Sequence, residues 1–482
     1  MHLAAYRNYK TTEAPWLGDV PSHWDVRRLR TVLRLRNEKN SPVKTEQILS
    51  LSIARGVTLY SHEGRGGNKR KGDITAYKIA HVGDIVLNSM NVIVGAVGLS
   101  RYTGAISPVY YALFPATDEV DVKYYDKVFG NPAFQRYLMI YGKGILIKKS
   151  NTGKLNTIRM KISPDDLKGT LLPIPPKDEQ QQITRFLEWK TAQINRFIRN
   201  KRRLIELLKE QKQNVINHSV TRGLDPKVKF KSSGVEWIGD IPEHWEATKL
   251  KRVVSFNPSK SETRANPADE DKVVFLPMEN ISVNGDIDCS EKRTLSEVWN
   301  GFTYFQRGDV VVAKITPCFE NGKGAYLKGL ESDFGFGTTE LIVLRPSKAI
   351  DGAFLRFLTS TKQFLLLGEQ YMTGAAGQQR IPSDFVKNYP IGLPPIDEQL
   401  EILEHIQEKS AEIDQAISRA QREIELMREY RTRLISDVVT GQVDVRGIEV
   451  PEVAEDELLA LDEDTGESDD VIDDEGDMDE TD

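Results

Sequence analysis

The stretch WLGDVPSHW at residues 16–24 returns as WIGDIPEHW at residues 237–245, with a constant offset of 221. The three positions that differ exchange Leu for Ile, Val for Ile and Ser for Glu. A second stretch, PPKDEQ at 175–180, returns as PPIDEQ at 394–399, with an offset of 219. The chain therefore contains one plan twice: a Trp-rich opening, a variable region, and a Pro-Pro-x-Asp-Glu-Gln block.

Composition places the chain among ordinary multidomain proteins, with 482 residues that are 39% hydrophobic and 28% charged. No apolar run approaches the ~18–20 residues that span a bilayer, and the first residues lack a signal-peptide pattern. Cys289 and Cys318 are the only cysteines of the sequence. This usage favours a reducing, cytoplasmic compartment and argues against a disulfide scaffold or a Cys-rich zinc site.

The net charge of −6 hides an uneven distribution, because residues 451–482 contain 17 Asp and Glu and no Lys or Arg. Without them, 65 Lys and Arg face 54 Asp and Glu, a net charge of +11. A basic body with an acidic tail suits a phosphate backbone as partner, although many enzymes are equally basic. The tail itself lacks a core-forming pattern, which predicts disorder.

The variable regions have the pattern of short strands and turns. GDIVLNSM at 83–90 matches GDVVVAKI at 308–315, and SPVYYALFP at 107–115 matches GTTELIVLRP at 337–346. Apolar residues at helical spacing predict a short helix near 121–140. ISPDDL at 162–167 matches IPSDFV at 381–386, and between such landmarks the two copies differ. A shared framework whose connecting loops differ in sequence is expected if the two copies recognise different targets.

A long amphipathic helix is predicted after each Pro-Pro block. Steps of four and three place apolar residues on one seam, from Ile183 to Val215 and from Ile402 to Leu434. Asp178 and Asp397 are the predicted N-caps, with Gln181 completing a capping box, and Gly223 and Gly441 are the predicted stops. Lys190 and Lys409 share a seam position, where they either fix the register or lie at the seam edge.

Each helix, at about 40 residues and ~60 Å, needs a partner for its seam. The intervening globular region lets the chain return, so we expect the two helices to pair antiparallel with one globular unit at each end. Parallel association of two chains is the alternative arrangement.

Basic and amide-rich loops that differ between the copies are the candidate DNA contacts. Arg reads guanine, Asn and Gln read adenine, and Lys mainly contacts phosphate. The candidates in the first copy are Lys69, Arg70, Lys71, Lys143, Lys148, Lys149 and Asn151. Those in the second copy are Lys314, Thr316, Asn321, Lys323, Thr373, Gln378, Gln379 and Arg380. For each of them a solvated loop remains the simpler interpretation.

Signatures of catalysis are missing from the sequence. It contains no Gly-rich phosphate loop, no GxSxG nucleophile motif and no HExxH zinc motif. His23 and His244 lie within the repeated Trp block, where a packed structural corner is the favoured interpretation. We therefore expect a chain that is not an enzyme and that has no catalytic residues, cofactor or metal of its own.

The order of these motifs resembles the specificity subunit of type I restriction-modification systems. FKSSGVEWIGDIPEHW at 230–245 and LPIPPKDEQQQITRFLEWKTAQINRFI at 172–198 are similar to members of that family. The resemblance covers roughly residues 12–446. It implies an α+β, pseudo-two-fold protein with two target recognition domains of mixed strands and short helices, separated by two antiparallel coiled-coil helices.

The repeated motifs and this resemblance together predict the domain limits. The predicted segments are a flexible N-terminus (1–12), target recognition domain 1 (13–174), spacer helix 1 (175–222), a linker (223–234), target recognition domain 2 (235–393), spacer helix 2 (394–441), and a linker with an acidic tail (442–482).

The resemblance further implies that each recognition domain reads one half of a gapped site in double-stranded DNA. Two methyltransferase subunits would bring S-adenosylmethionine and methylate adenines, and restriction subunits would translocate and cleave DNA. No membrane partner is expected. The alternative from another functional class is a coiled-coil scaffold whose globular units bind proteins.

Overall fold

A computed structural model describes residues 4–52, 55–60, 73–90, 96–143, 148–149, 155–157, 161–235, 238–263, 265, 270–375 and 377–453, without side chains at 148–149 and 155–157. The chain forms two compact units. The first unit is Met1–Arg202 with Gln421–Asp482, and the second unit is Arg203–Ala420. Each unit therefore contains one globular region and a part of both long helices.

The first unit combines short strands with short helices. Its strands are β1 (Tyr9–Thr11), β2 (Asp19–Pro21), β3 (Asp25–Arg28), β4 (Leu33–Leu35), β5 (Leu49–Ser52), β6 (Gly56–Leu59), β7 (Lys78–Ala80), β8 (Ile85–Asn88), β9 (Val97–Leu99), β10 (Gly104–Ile106), β11 (Tyr110–Pro115), β12 (Lys148–Lys149), β13 (Leu155–Thr157) and β14 (Leu171–Ile174). Its short helices are α1 (Leu29–Val32), α2 (Val122–Phe129), α3 (Pro132–Leu138) and α4 (Pro164–Gly169). The long helix α5 (Lys177–Arg222) follows.

The second unit begins and ends with the same order of elements and differs in between. Its strands are β15 (Phe230–Ser232), β16 (Asp240–Pro242), β17 (Glu246–Lys249), β18 (Val254–Phe256), β19 (Lys272–Leu276), β20 (Lys292–Thr294), β21 (Thr303–Gln306), β22 (Val310–Ala313), β23 (Gly324–Tyr326), β24 (Phe334–Gly337), β25 (Leu341–Pro346) and β26 (Pro390–Leu393). Its short helices are α6 (Leu250–Val253), α7 (Leu295–Val298), α8 (Gly352–Leu358), α9 (Lys362–Gln370) and α10 (Ser383–Asn388). The second long helix is α11 (Ile396–Val439).

One antiparallel sheet has the same strand order in both units: β4-β11-β8-β9 in the first and β18-β25-β22-β23 in the second. Strands β8 and β22 are buried along their whole length, which explains their continuous apolar runs. The pairs β1-β2 and β3-β14 also recur, as β15-β16 and β17-β26. The matching stretches of sequence therefore build a matching framework.

The variable regions build different sheets. The second unit has a mixed sheet in the order β20-β19-β24-β21, in which β19 and β24 run parallel. The first unit instead has the two-stranded pairs β5-β6 and β7-β10. The divergence in sequence between the copies is thus a divergence in structure.

Within each unit the long helices pair in opposite directions. In the first unit, Arg431 donates to Asn195 (2.8 Å), and Lys201 lies 2.6 Å from Glu423. The partner number falls as the α5 number rises, so the pairing is antiparallel. In the second unit, Ile216 and Val220, near the end of α5, share a core with Ile402 and Ile406, near the start of α11.

The predicted seam is buried at most of its apolar positions, including Ile194 and Ile413, and it is wrong at two of them. Ile183, Leu187 and Ile402 are buried as expected, whereas Leu204 and Tyr430 are 41% and 44% exposed. An α-helix turns every 3.6 residues, so a strict seven-residue pattern drifts around it. Lys190 and Lys409 each contact a residue of their own helix, Gln193 (3.2 Å) and Glu412 (3.1 Å), which favours the seam edge over register control.

The predicted N-caps are wrong. Helix α5 begins at Lys177, and the Pro176 carbonyl accepts hydrogen bonds from the amides of Glu179 (2.9 Å) and Gln180 (3.0 Å). Helix α11 likewise begins at Ile396. The cap position belongs to the second proline of each block, whose fixed φ still permits its carbonyl to open the helix. Asp178 and Asp397 lie in the first turns, where their charge interacts favourably with the helix dipole.

The predicted helix near 121–140 is two helices, α2 and α3, because the Asn131 side chain caps the amide of Ala133 (2.7 Å) and Pro132 opens the second helix. The second unit has the corresponding pair, α8 and α9.

The chain ends of the first unit are more ordered than the sequence predicts. Tyr9–Thr11 pairs with Asp19–Pro21 in a sheet, and Tyr6 is 5% exposed. At the other end, Val445 is fully buried, and Ile448 and Val450 pack against the same core. The predicted flexible N-terminus and C-terminal linker therefore contribute to the core up to residue 450. Residues 454–482 of the acidic tail lie outside the described residues.

Candidate nucleic-acid interface

The repeated Trp block and the repeated Pro-Pro block bind each other. In the first unit, the Glu179 carboxylate accepts hydrogen bonds from the Trp24 indole (3.0 Å) and the Tyr6 hydroxyl (2.5 Å), and it lies 2.8 Å from the His23 imidazole. Burial, followed by the hydrogen bond to Glu179, raises the pKa of Tyr6. His23 therefore belongs to a structural corner, as expected from the sequence.

The second unit has the same corner. The Glu398 carboxylate accepts from the Trp245 indole (3.1 Å) and lies 2.7 Å from the His244 imidazole. Trp24 and Trp245 are 0% and 1% exposed. Trp237 of the repeated block lies outside the described residues.

The adjacent glutamines attach the short helices to the same corner. Gln180 accepts from the amide of Asp121 (2.9 Å) at the start of α2, and Gln399 accepts from the amide of Asp351 (2.8 Å) at the start of α8. Asp121 and Asp351 are the N-caps of these helices. The Glu-Gln pair therefore explains why the block is kept in both copies.

Each corner is completed by the stop glycine of the other long helix. Gly441, after α11, lies against Pro21 and Trp24 of the first unit, and Gly223, after α5, lies against Trp245 of the second. Both glycines have positive φ, 75° and 73°, as the stop signals predict.

This framework presents a hairpin after α3 and after α9. Lys143 pairs with Lys161 in the first unit, and Thr373 pairs with Arg380 in the second. In both hairpins the next residue, Ile162 or Ile381, donates its amide to the end of the buried strand segment, at Ser89 or Lys314. The two hairpins therefore occupy equivalent places while they carry different residues.

In the second unit the structure brings most of the predicted residues together. The amide of Thr316 donates to the Gln379 carbonyl (3.0 Å), and the Thr316 hydroxyl accepts from the Gln379 amide (3.1 Å). Lys314, Thr316, Thr373, Gln378, Gln379 and Arg380 thus form one three-segment cluster. Asn321 and Lys323 follow on the adjoining turn, with Asn321 exposed.

Two of the predicted cations, Arg380 and Lys323, are engaged by other residues of the second unit. Arg380 binds the Glu340 carboxylate through two nitrogens (2.8 and 3.0 Å), and it donates to the Gln378 carbonyl (3.0 Å). The hydrogen bonds from Arg380 lower the pKa of Glu340, and the same contact raises the pKa of Arg380. Lys323 donates to the Met278 carbonyl (2.9 Å). Arg380 and Lys323 therefore order the loops, while Thr373, Gln378 and Asn321 are exposed.

In the first unit less of the prediction can be located. The side chain of Lys143 is 80% exposed and lies 3.8 Å from Asp166. Lys148 and Lys149 form β12, whose register with β13 is irregular. Lys69, Arg70, Lys71 and Asn151 lie outside the described residues.

Two basic residues escaped the sequence analysis. Lys161 occupies the hairpin position equivalent to Arg380, and the match of Ile162 with Ile381 could have revealed it. Arg356 of α8 is 8% exposed and hydrogen-bonds the turn that contains Asn321, and no signal in the sequence marks it.

Across the part of the chain that the structure describes, no group of His, Cys, Asp and Glu side chains could hold a metal ion. Nor is any described helix apolar over a length that could cross a membrane.

Comparison with known proteins connects these features to one family. Residues 242–426 match the type I restriction modification DNA specificity domain. The specificity subunit of the type I restriction enzyme EcoEI from Escherichia coli is 41% identical over 166 residues, which are 34% of this chain and 27% of that protein. That of EcoAI, also from Escherichia coli, is 35% identical over 239 residues, or 49% of this chain and 36% of its own length. The aligned stretches thus span well under half of these two relatives.

A longer but weaker match and two solved structures extend the likeness over most of the chain. The putative specificity subunit MjaX from Methanocaldococcus jannaschii is 22% identical over 91% of this chain and 97% of its own length. A chain solved in work on assembly and conformational transition of the type I R-M system has a TM-score of 0.60 at 12% identity, covering 87% of this chain and 98% of its own. The HsdS subunit from Thermoanaerobacter tengcongensis has a TM-score of 0.50 at 14% identity, covering 88% and 98%. At such identities the structures show a shared fold alone.

Proposed function

We propose that this chain is a specificity subunit of the type I restriction-modification family and that it reads a gapped site in double-stranded DNA, with one half-site for each unit. The observation that carries the proposal is the pair of equivalent hairpins on a shared framework. One carries Lys143 and Lys161, and the other carries Thr373 and Arg380. Two copies of one scaffold that differ at the same exposed place are what recognition of two different sequences requires.

The exposed residues of the second unit suit base recognition. The Gln378 amide can donate and accept at once, as reading of adenine demands, and the Thr373 and Asn321 side chains can hydrogen-bond base edges. Lys314 supplies positive charge for phosphate. In the first unit we assign phosphate contact to Lys143, and we keep Lys69, Arg70, Lys71, Lys148, Lys149 and Asn151 as proposed contacts.

The chemistry is assigned to partners. We propose that the chain is non-catalytic, that it acts in the cytoplasm, and that it docks two methyltransferase subunits and, in a restricting system, restriction subunits. The chain provides recognition of the target DNA sequence, and it needs no cofactor of its own for that role.

The antiparallel helices set the distance between the half-sites. An insertion of one heptad in α5 together with one in α11 lengthens both partners and keeps the seam in phase. We expect such an insertion to change the gap and leave both half-sites unaltered. An unchanged gap contradicts the spacer role.

The test is a map of methylated adenines in the genome of the host. Cells with the chain and its methyltransferase subunits are compared with cells that lack only the chain. We expect a gapped two-part motif to lose methylation when the chain is absent.

Unchanged methylation contradicts the proposal. In that case, duplex binding by the purified chain decides between DNA and protein partners, because binding dominated by phosphate weakens steeply with salt. Binding to protein partners alone supports the scaffold alternative.

A further inference from the structure

Arg356 is a buried cation that no carboxylate of the described residues pairs with. Its side chain projects from α8, is 8% exposed, and donates from Nη2 to the carbonyls of Gly322 (2.9 Å) and Val283 (3.1 Å). Its Nε has no hydrogen-bond partner in the part of the chain that the structure describes. Burial lowers its pKa to about 10. A buried charge with only neutral partners is costly, and an apolar residue of similar size often serves folding better.

The two carbonyls belong to two different turns. Val283 lies in the tight turn between Ile281 and Ile287, where the Ser282 amide donates to the Asp286 carbonyl (2.9 Å). Gly322 ends the turn that begins at Thr316. Lys323, directly after the second of these turns, makes a further contact, because its amine donates to the carbonyl of Met278 (2.9 Å), a few residues before the first turn.

The turn held in this way contains two of the candidate DNA contacts, Thr316 and Asn321, and a third, Lys323, follows it directly. Gly322 takes a φ of 71°, and Gly285 in the opposite turn takes a φ of 97°. A Cβ on Gly285 would stand 3.5 Å from the Arg356 Nε, so the backbone packs closely around the guanidinium.

The described residues of the first unit form no such arrangement at the equivalent position. Asp121 and Asp351 are equivalent, since each caps its helix and receives the glutamine of its Pro-Pro block. The residue five positions later is Asp126 in the first unit and Arg356 in the second. Asp126 lies 2.9 Å from the amine of Lys127, its neighbour in the chain.

We propose that Arg356 is a positioning residue for DNA recognition by the second unit, and that it fixes the 316–322 turn against the 282–286 turn. The inference rests on the proposed function. It adds a residue that touches no base and yet determines how strictly one half-site is read.

The experiment compares Arg356→Met, Arg356→Lys and, as the matched control in the first unit, Asp126→Asn. Each full-length variant, in complex with the methyltransferase subunits of its host, selects duplexes from a random-sequence library. Thermal unfolding and the salt dependence of binding are measured on the same samples.

For Arg356→Met we expect discrimination at the half-site of the second unit to fall about tenfold or more, as loss of loop order removes well-placed hydrogen bonds. The other half-site stays unchanged, the unfolding temperature is not lowered, and the salt slope is kept because no phosphate contact is lost. The lysine variant retains most discrimination, since its amine can still donate to both carbonyls. The control retains both half-sites.

Unchanged half-sites in Arg356→Met overturn the inference, and so does an equal loss of both half-sites together with a lower unfolding temperature. If the methionine variant does not fold, the lysine variant decides, and loss of folding there as well overturns the inference. A wild-type complex that selects no motif contradicts the proposed function itself, which is a separate outcome.

Discussion

Each unit buries an aspartate carboxylate at the equivalent position. The arginine that pairs with it comes from a different strand in each unit. In the first unit, Arg36, just after β4, binds Asp84 through two nitrogens (2.6 and 2.9 Å) and stacks on Phe114, 4.6 Å from the ring centroid. In the second unit, Arg345 of β25 binds Asp309 (2.7 and 2.8 Å).

The strand register makes Arg345 the equivalent of Phe114, and it makes Asn257 the equivalent of Arg36. Both units therefore pair the buried aspartate with an arginine, but the position that carries this arginine differs between them. At the Trp-Glu corner, in contrast, the two units have the same contact between the same residue types at equivalent positions.

The largest loss of stability is expected at the Trp-Glu corner, which each unit has in its own copy. Because both indoles are fully buried and hydrogen-bonded, Trp24→Ala and Trp245→Ala should each lower the free energy of unfolding by about 3–5 kcal/mol. Chemical denaturation followed by circular dichroism measures the loss. Leu426→Ala, at a side chain that is 54% exposed, is the control and should change it by less than about 0.5 kcal/mol. A loss at only one of the two tryptophans breaks the equivalence of the corners.

The exchanged arginine allows a rescue experiment within the first unit. Arg36→Asn leaves the Asp84 carboxylate, which is 2% exposed, without its cation and should cost about 3 kcal/mol. Adding Phe114→Arg recreates the arrangement of the second unit and should restore more than half of that loss. Denaturant midpoints of the two variants and the wild type give the comparison. An additive second loss would show that the two solutions are not interchangeable.

Alanine substitutions at the two stop glycines should cost different amounts of stability in the two units. A Cβ on Gly441 would lie 2.3 Å from the ring of Pro21, whereas a Cβ on Gly223 would first meet the Glu398 side chain at 3.1 Å. Both positions have positive φ, so each alanine costs about 1 kcal/mol of backbone strain. We expect Gly441→Ala to cost about 1–2 kcal/mol more than Gly223→Ala, because a fixed ring cannot move aside. Equal losses in thermal unfolding would contradict the difference in packing.

The smallest effect is expected at the seam lysines. Lys190→Leu and Lys409→Leu should change the free energy of unfolding by at most about 0.5 kcal/mol, since each lysine pairs on the exposed surface of its own helix. Cysteine cross-linking at positions 195 and 431 reports the register and should remain efficient in both variants. Loss of that cross-link would restore the register-fixing interpretation.

The sequence predicted what its repeats and periodicity encode. The duplicated framework, both long helices and their glycine stops follow from local signals that every copy must carry. The order of the N-terminus could not be predicted, because Tyr6 is held by Glu179, 173 positions away. The helix caps were missed because Asp178 and Asp397 are of the residue type that favours the cap position, whereas the proline before each helix takes it.

The sequence suggests which types of residue lie at the candidate site, but it does not reveal the contacts that their side chains make. The second-copy loops do meet, yet the sequence offered no sign that Arg380 is engaged by Glu340, 40 positions earlier. Arg356 was missed for a similar reason, since one Arg in a run of apolar residues reads as a solvated edge until the turns packed over it are known.

The most direct measurement exchanges residues 16–172 for the corresponding region of one of the specificity subunits that the chain resembles, and maps adenine methylation in cells that carry the hybrid. Half-site reading by separate units predicts that one half of the motif changes to that of the donor, while the other half and the gap persist. A motif in which both halves change, or neither, would contradict the account.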